Sequence, residues 1–216
     1  MSSSHAPLTL LSVLLSVLAW RSPTVAVAQP VPVEVFGGHA AVNTQLIVAR
    51  PLRPDSKFGV FALVNYNLPH DRADAVANNF IIQTLGTYRL TEHLRIMGGT
   101  FVKTVDFGPT AGLQAAFPMK RGLLLLSNRY EFASDFRTEL FALLELRPRL
   151  TEALTGYLRL QAMIETNFSR HERGFQTVRA GLSAEPFTYG LGFTYDQFGP
   201  TLIPRGNAGV FVGVEL

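Results

Sequence analysis

The residues of this chain best equipped for chemistry are arginines and glutamates set two apart. Arg129 and Glu131, Arg137 and Glu139, and Glu145 and Arg147 all share that spacing, with Arg159, Glu165 and Arg179 further along. Two residues is the strand period, so each pair lies on one face of an extended segment. Arginine forks grip carboxylates or phosphates. A wall carrying Arg129, Arg137, Arg159 and Arg179 would favour a small anionic solute, and Glu139, Glu145 and Glu165 would cancel much of that field. A hairpin centred on Ser134 sets Glu131 opposite Arg137 and Arg129 opposite Glu139, and a turn centred on Glu152 sets Arg159 opposite Glu145. Opposite charges across a strand pair stabilise it, so these residues are read as lining and bridging a lumen.

Other chemistries are weaker. A lipid-modifying enzyme on a barrel wall needs a serine, a histidine and an acid. His39, His70, His93 and His171 are available beyond the leader, but none has a serine at the His-x-Ser spacing of barrel deacylases. Lipid A acyl chemistry is therefore the alternative function, and no catalytic residue is assigned. His70, Asp71 and Asp74 match no metal-ligand spacing, and no metal or cofactor is expected. The chain has no cysteine, which excludes disulfides, thiolate metal sites and a cysteine nucleophile. Its net charge is +3 and no basic run reads as a nucleic-acid patch.

The elements that must position these side chains are strands. In Phe187–Phe198, Tyr189, Leu191, Phe193 and Tyr195 oppose Thr188, Gly190, Gly192, Thr194 and Asp196. In 174–186 and 153–166 the same alternation recurs, and similar stretches occupy 57–68, 79–90, 94–104, 110–117, 123–132, 136–150 and 207–216. Sixteen charged residues, from Lys57 to Glu215, keep one parity within each of nine strands. A helix from Thr151 would place Gln161 and Glu165 on its apolar face, whereas the alternating face there is free of charge.

A polar-in, apolar-out barrel fits better than a soluble sheet with one wet face. Aromatic residues gather near the strand ends: Phe58, Tyr88, Phe117, Phe187 and Tyr189 at one, and Tyr66, Phe80, Tyr130, Phe132, Phe136, Phe175, Tyr195 and Phe198 at the other. Two such girdles around an aliphatic band mark a transmembrane barrel. Breaks between strands alternate between a tight set, such as Thr91-Glu92 and Glu185-Pro186, and a looser set, such as 70–77 and 199–206. An up-and-down barrel with short turns on one rim and longer loops on the other is expected.

The last strand alternates Ala208, Val210, Val212, Val214 and Leu216 with Gly209, Phe211, Gly213 and Glu215. It resembles the C-terminal insertion signal of bacterial outer-membrane β-barrels, ending in Leu216 where that family usually has Phe. Glu34-Val35-Phe36-Gly37-Gly38-His39 and 195–200 resemble segments of uncharacterised small barrel proteins of Bacteroidota-type bacteria. The resemblance implies an outer-membrane location, lipid contact and handling by the barrel-assembly machinery, with Val210, Val212, Val214 and Leu216 as the signal.

Residues 1–28 read as a signal peptide, with a 13-residue apolar run from Leu8 to Trp20 and Ala26-Val27-Ala28 before the cut. Residues 29–216 form one domain. With the C-terminus in the periplasm, one further strand over Val31 to Phe36 is needed, making twelve. Ten strands with the N-terminal segment packed inside is the alternative, because Pro32 suits an unpaired edge better than a closed seam. The expectation is thus a monomeric all-β, closed antiparallel barrel, either a passive narrow pore for small, mildly anionic solutes or a structural barrel with a plugged polar lumen.

Overall fold

The computed structural model describes residues 31–104 and 106–216. The expected signal peptide lies outside them. Twelve strands follow one another: β1 (Pro32–Gly38), β2 (Ala41–Pro51), β3 (Phe58–Pro69), β4 (Asn79–Arg89), β5 (Leu94–Lys103), β6 (Phe107–Met119), β7 (Gly122–Phe132), β8 (Phe136–Leu146), β9 (Thr155–Thr166), β10 (His171–Ala184), β11 (Phe187–Phe198) and β12 (Ile203–Glu215). Each pairs antiparallel with its sequence neighbours, and β1 pairs with β12 to close a barrel. Closure satisfies the backbone groups that an open edge would leave bare, which a lipid environment demands.

The alternation fixes which way each side chain turns. Leu191 is 68% exposed and Val210 57%, whereas Arg179 is 2% exposed and Glu131 fully buried. The polar parity is the interior one, as its charge content predicts. The interior is not wholly polar. Phe36, Leu85, Phe101 and Phe211 are also buried there, and Phe36, Tyr157 and Phe211 form one cluster.

The first strand belongs to the wall, so the ten-strand alternative falls. Pro32 is accommodated without losing a ladder bond. Val31 and Leu216 exchange both backbone hydrogen bonds, at 2.9 and 3.1 Å. The nitrogen of Pro32 therefore faces β2, whose pairing with β1 starts only at Val33 opposite Leu46. Across the seam, a Cβ at Gly209 would lie 2.0 Å from the Gly37 carbonyl oxygen. Glycine is what lets the last strand approach the first there.

Two expectations need correction. The rims are not divided into short turns and long loops. Connections at the rim bearing Val31 and Leu216, the terminal rim, run from two residues (120–121) to eight (147–154), and those at the far rim from two (39–40) to nine (70–78). Strands run on into the supposed loops because polar residues continue the ladder: His171 pairs with Thr166, and Asp196 with Arg205. The girdle assignment also fails for two rings. Phe198 shares the inward parity of Asp196 and Phe175 that of Arg179, and the Arg173 guanidinium lies 5.1 Å from the Phe198 ring and 5.7 Å from the Phe175 ring. Tyr130, Phe132 and Phe136 do face outward, and Phe136 stacks on Phe168 at 5.7 Å.

The far rim is strapped by an ion pair between connection 70–78 and β12. Arg205 Nε donates to Asp74 Oδ2 at 2.8 Å, and the Ala77 amide donates to Oδ1 at 3.1 Å. These bonds, the arginine's first, hold the Asp74 carboxyl below its ordinary value of 3.8. A depressed carboxyl stabilises the fold above its unfolded pKa, and the contribution is lost as pH falls through the lower folded value. Amide protection in 70–78, measured against the intrinsic exchange rate at each pH, is therefore expected to hold down to the ordinary aspartate value and to fall below it. In Asp74→Asn the protection should be low throughout, with no such transition.

Candidate functional site

A cavity of about 370 Å³ opens between the far-rim connections and the wall formed by β1–β3 and β9–β12. Its lining runs from His39, His70 and Asp74 at the rim to Glu34, Phe36, Arg159 and Arg179. Counted along their strands from the far rim, Arg159 and Arg179 are the deepest of its charged groups. β9 and β10 place them directly opposite each other in the ladder. Like charges in that position repel, and Glu34 from β1 relieves the repulsion. Arg159 Nη2 donates to Glu34 Oε2 at 2.5 Å and Arg179 Nε to Oε1 at 3.1 Å. Arg179 also lies over the Phe36 ring at 3.8 Å and donates to the carbonyls of Val178 and Phe193. Gly192 makes room for it, since a Cβ there would lie 2.7 Å from Arg179 Cδ and Nη1.

Three further groups of charges are paired around the bore. Toward the far rim, Arg173 Nε donates to Asp196 at 3.0 Å, and its Nη1 reaches Asn79 on β4 at 3.0 Å. On the β5–β9 side, Lys103 Nζ donates to Glu131 and Glu165 at 2.6 Å each, Arg129 pairs with Glu139, and Arg137 donates to Asp106 at 3.0 Å. At the terminal rim, Arg147 joins Glu145 and Glu215 at 2.7 Å each.

Of the charged residues that the sequence places on a lumen wall, Arg129, Glu131, Glu139, Arg159, Glu165 and Arg179 are buried, Arg137 and Glu145 share the parity of their buried neighbours, and the ladder sets Arg129 opposite Glu139, Glu131 opposite Arg137 and Glu145 opposite Arg159. The bonds are another matter. Only Arg129–Glu139 joins ladder partners. Glu131 is taken by Lys103, Arg137 by Asp106 with Glu165 at 3.7 Å, Glu145 by Arg147, and Arg159 by Glu34. The reason is curvature. In a narrow barrel, long side chains reach strands that lie across the bore. Lys103–Glu165 and Glu34–Arg159 each join strands four apart, Arg147 reaches Glu215 on β12 from just past the end of β8, and Arg173–Asn79 joins strands six apart in the ring of twelve.

Glu34, buried and bonded to both arginines, is the residue of this cluster that is not among the lumen charges read from the sequence. Val33, Glu34, Val35 and Phe36 alternate like every other strand, so parity alone would have turned Glu34 inward. Arg173 and Asp106 fall between the strands that alternation marks out, and Asn79 at the start of one, yet all three bond to groups inside the barrel.

Oxygens of Glu131, Glu139 and Glu165 lie within 4.8 Å of one another, a spacing that could hold a metal ion. The ammonium of Lys103 already contacts two of them and Arg129 the third, so the carboxylates have cationic partners in place. The histidines are dispersed: the rings of His39, His70, His93 and His171 bond to backbone groups of Ala208, Gly38, Ala116 and Gln197. Asp71 accepts from the Ala73 amide and Asp74 from Arg205, so the three residues 70, 71 and 74 do not converge. Val210 and Val212 face outward on β12, Val214 shares their parity, and Leu216 follows the strand as an exposed residue.

An up-and-down antiparallel barrel with an apolar exterior and an ion-paired interior defines the class of transmembrane β-barrels. Among solved structures, the chain is similar to a KdgM porin in complex with disordered oligogalacturonate, with a TM-score of 0.51 at 9% identity over 87% of this chain and 99% of that one. It is also similar to a NanC porin, with a TM-score of 0.47 at 12% identity over 88% of this chain and 100% of that one. At 9% identity the likeness to the first of these is one of fold alone. No family model and no curated protein matches the sequence.

Proposed function

We propose that the protein is a narrow bacterial outer-membrane pore for small solutes with a mild anion preference, shut in this conformation by side-chain bridges across its bore. The observation that carries this reading is the cavity on the far rim, which ends on two arginines and one carboxylate. On this reading the terminal rim is periplasmic and the cavity opens to the outside. Lipid contacts the exposed belt, and Val210, Val212, Val214 and Leu216 present the insertion signal to the assembly machinery. The chain acts as a monomer after loss of residues 1–28.

The charges support a mild rather than a strong preference. Arg173 is matched by Asp196 and Arg205 by Asp74, and Asp71 at the rim offsets the second arginine on Glu34, so the surplus positive charge is confined to the inner end of the cavity. Planar-bilayer recording of the refolded chain tests the reading. Small steps with a reversal potential displaced toward the anion are expected, and Arg159→Glu should move it toward the cation. Absence of steps above baseline would remove the pore reading.

A second reading, a wall protein with a permanently plugged lumen, is favoured by one observation. Beyond Arg159 and Arg179 the bore is filled by Phe36, Tyr157 and Phe211, and Arg147 crosses it again at the terminal rim. The lipid A enzyme reading gains no support from the histidines, whose rings are engaged with backbone.

A further inference from the structure

Arg159 and Arg179 share one carboxylate, so the trio with Glu34 carries one positive charge in surplus. Its members are nearly inaccessible to water. An unmatched charge or donor in such a place is costly. Two donors two residues apart on β9 have no acceptor: Arg159 Nε and Gln161 Nε2 are buried and unpartnered, and both residues line the cavity. Arg159 is 7% exposed and Gln161 5%. Surplus positive charge beside unsatisfied N–H groups calls for a ligand that only accepts. A guanidinium fork matches the two oxygens of a carboxylate. The Phe36 ring beneath Arg179 adds a flat apolar surface, and a cavity of about 370 Å³ has room for a single-ring acid.

We propose that Arg159 and Arg179 form a binding site for the carboxylate of a small solute, and that Glu34 is a built-in competitor that occupies the site when no solute is present. The inference rests on the reading of the barrel as one that admits solutes, and it names their chemistry. Glu34 comes from β1, while the arginines come from β9 and β10, so competitor and site are held by different parts of the wall. A tethered competitor lowers apparent affinity by the fraction of molecules in which it leaves the arginines free.

Calorimetric titration of the refolded chain in detergent micelles, with benzoate and its neutral isostere benzamide, tests this. The unmodified chain should prefer benzoate. Glu34→Gln should tighten benzoate about tenfold, Arg179→Gln should weaken it by a similar factor, and neither should change benzamide. Equal affinity for benzoate and benzamide in the unmodified chain overturns the proposal, and so does a Glu34→Gln chain that binds benzoate no better. If Glu34→Gln does not refold, Glu34→Asp replaces it: the shorter arm withdraws from the arginines and benzoate should tighten, while unchanged binding overturns the proposal. Calorimetry needs no transport. A chain that binds benzoate but passes no current overturns the pore alone, and one that conducts without preferring benzoate overturns this site alone.

Discussion

Lys103→Met will destabilise the barrel by about 3–5 kcal/mol, the cost of breaking a buried ion pair from one side. Lys103 holds Glu131 and Glu165 together, each at 2.6 Å. Glu131 is fully buried and its second oxygen, Oε1, has no partner. Without the ammonium, three carboxylates with oxygens within 4.8 Å of one another repel in a place water cannot screen. Arg129 and Arg137 remain, but the first is engaged by Glu139 and the second by Asp106. Urea unfolding of the refolded chain in lipid vesicles measures the loss. The double variant Lys103→Met, Glu131→Gln should recover part of it, because one of the two carboxylates that Lys103 held is then neutral and the other, Glu165, keeps Arg137 at 3.7 Å. A single variant as stable as the original would show that water reaches this network.

Phe211→Ala should act on stability and on conduction together. Phe211 is 1% exposed, lies opposite Phe36 across the seam, and its ring centre is 5.6 Å from that of Tyr157. Truncating a buried phenylalanine costs about 3–5 kcal/mol where the site cannot collapse, and a hydrogen-bonded barrel wall has little freedom to do so. The space released continues the bore beyond Glu34 and the two arginines. Larger and longer single-channel steps are expected in planar bilayers, with the midpoint of unfolding shifted to lower urea. Lower stability with unchanged conductance would place the constriction elsewhere, at the Arg147 bridge between Glu145 and Glu215.

Facing was legible in the sequence, and partnership was not. Parity along a strand is a one-dimensional property, and a single charged residue such as Arg179 fixes the facing of its whole strand. Register was also within reach, because a turn centre such as Ser134 fixes which residues oppose. Bonding in the lumen is decided in the plane across the bore. Nothing in the sequence separation of Lys103 and Glu165, or of Glu34 and Arg159, shows that the ring brings them together. The misplaced rings have a different cause: Phe175 and Phe198 were assigned by nearness to a strand end, although their parity with Arg179 and Asp196 already turned them inward. Loop lengths were overestimated because hydrophobic alternation stops before backbone pairing does, as at His171 and Arg205.

The seam between β1 and β12 also bears on how the molecule is made. Its partners, such as Val33 and Val214, stand at opposite ends of the described chain, whereas every other ladder joins strands adjacent in sequence. Contacts so distant form slowly. The ribbon of strands can therefore zip up hairpin by hairpin while its two free margins still await each other. Completion is then one terminal event, and until it occurs Glu34 cannot reach the two arginines it bridges.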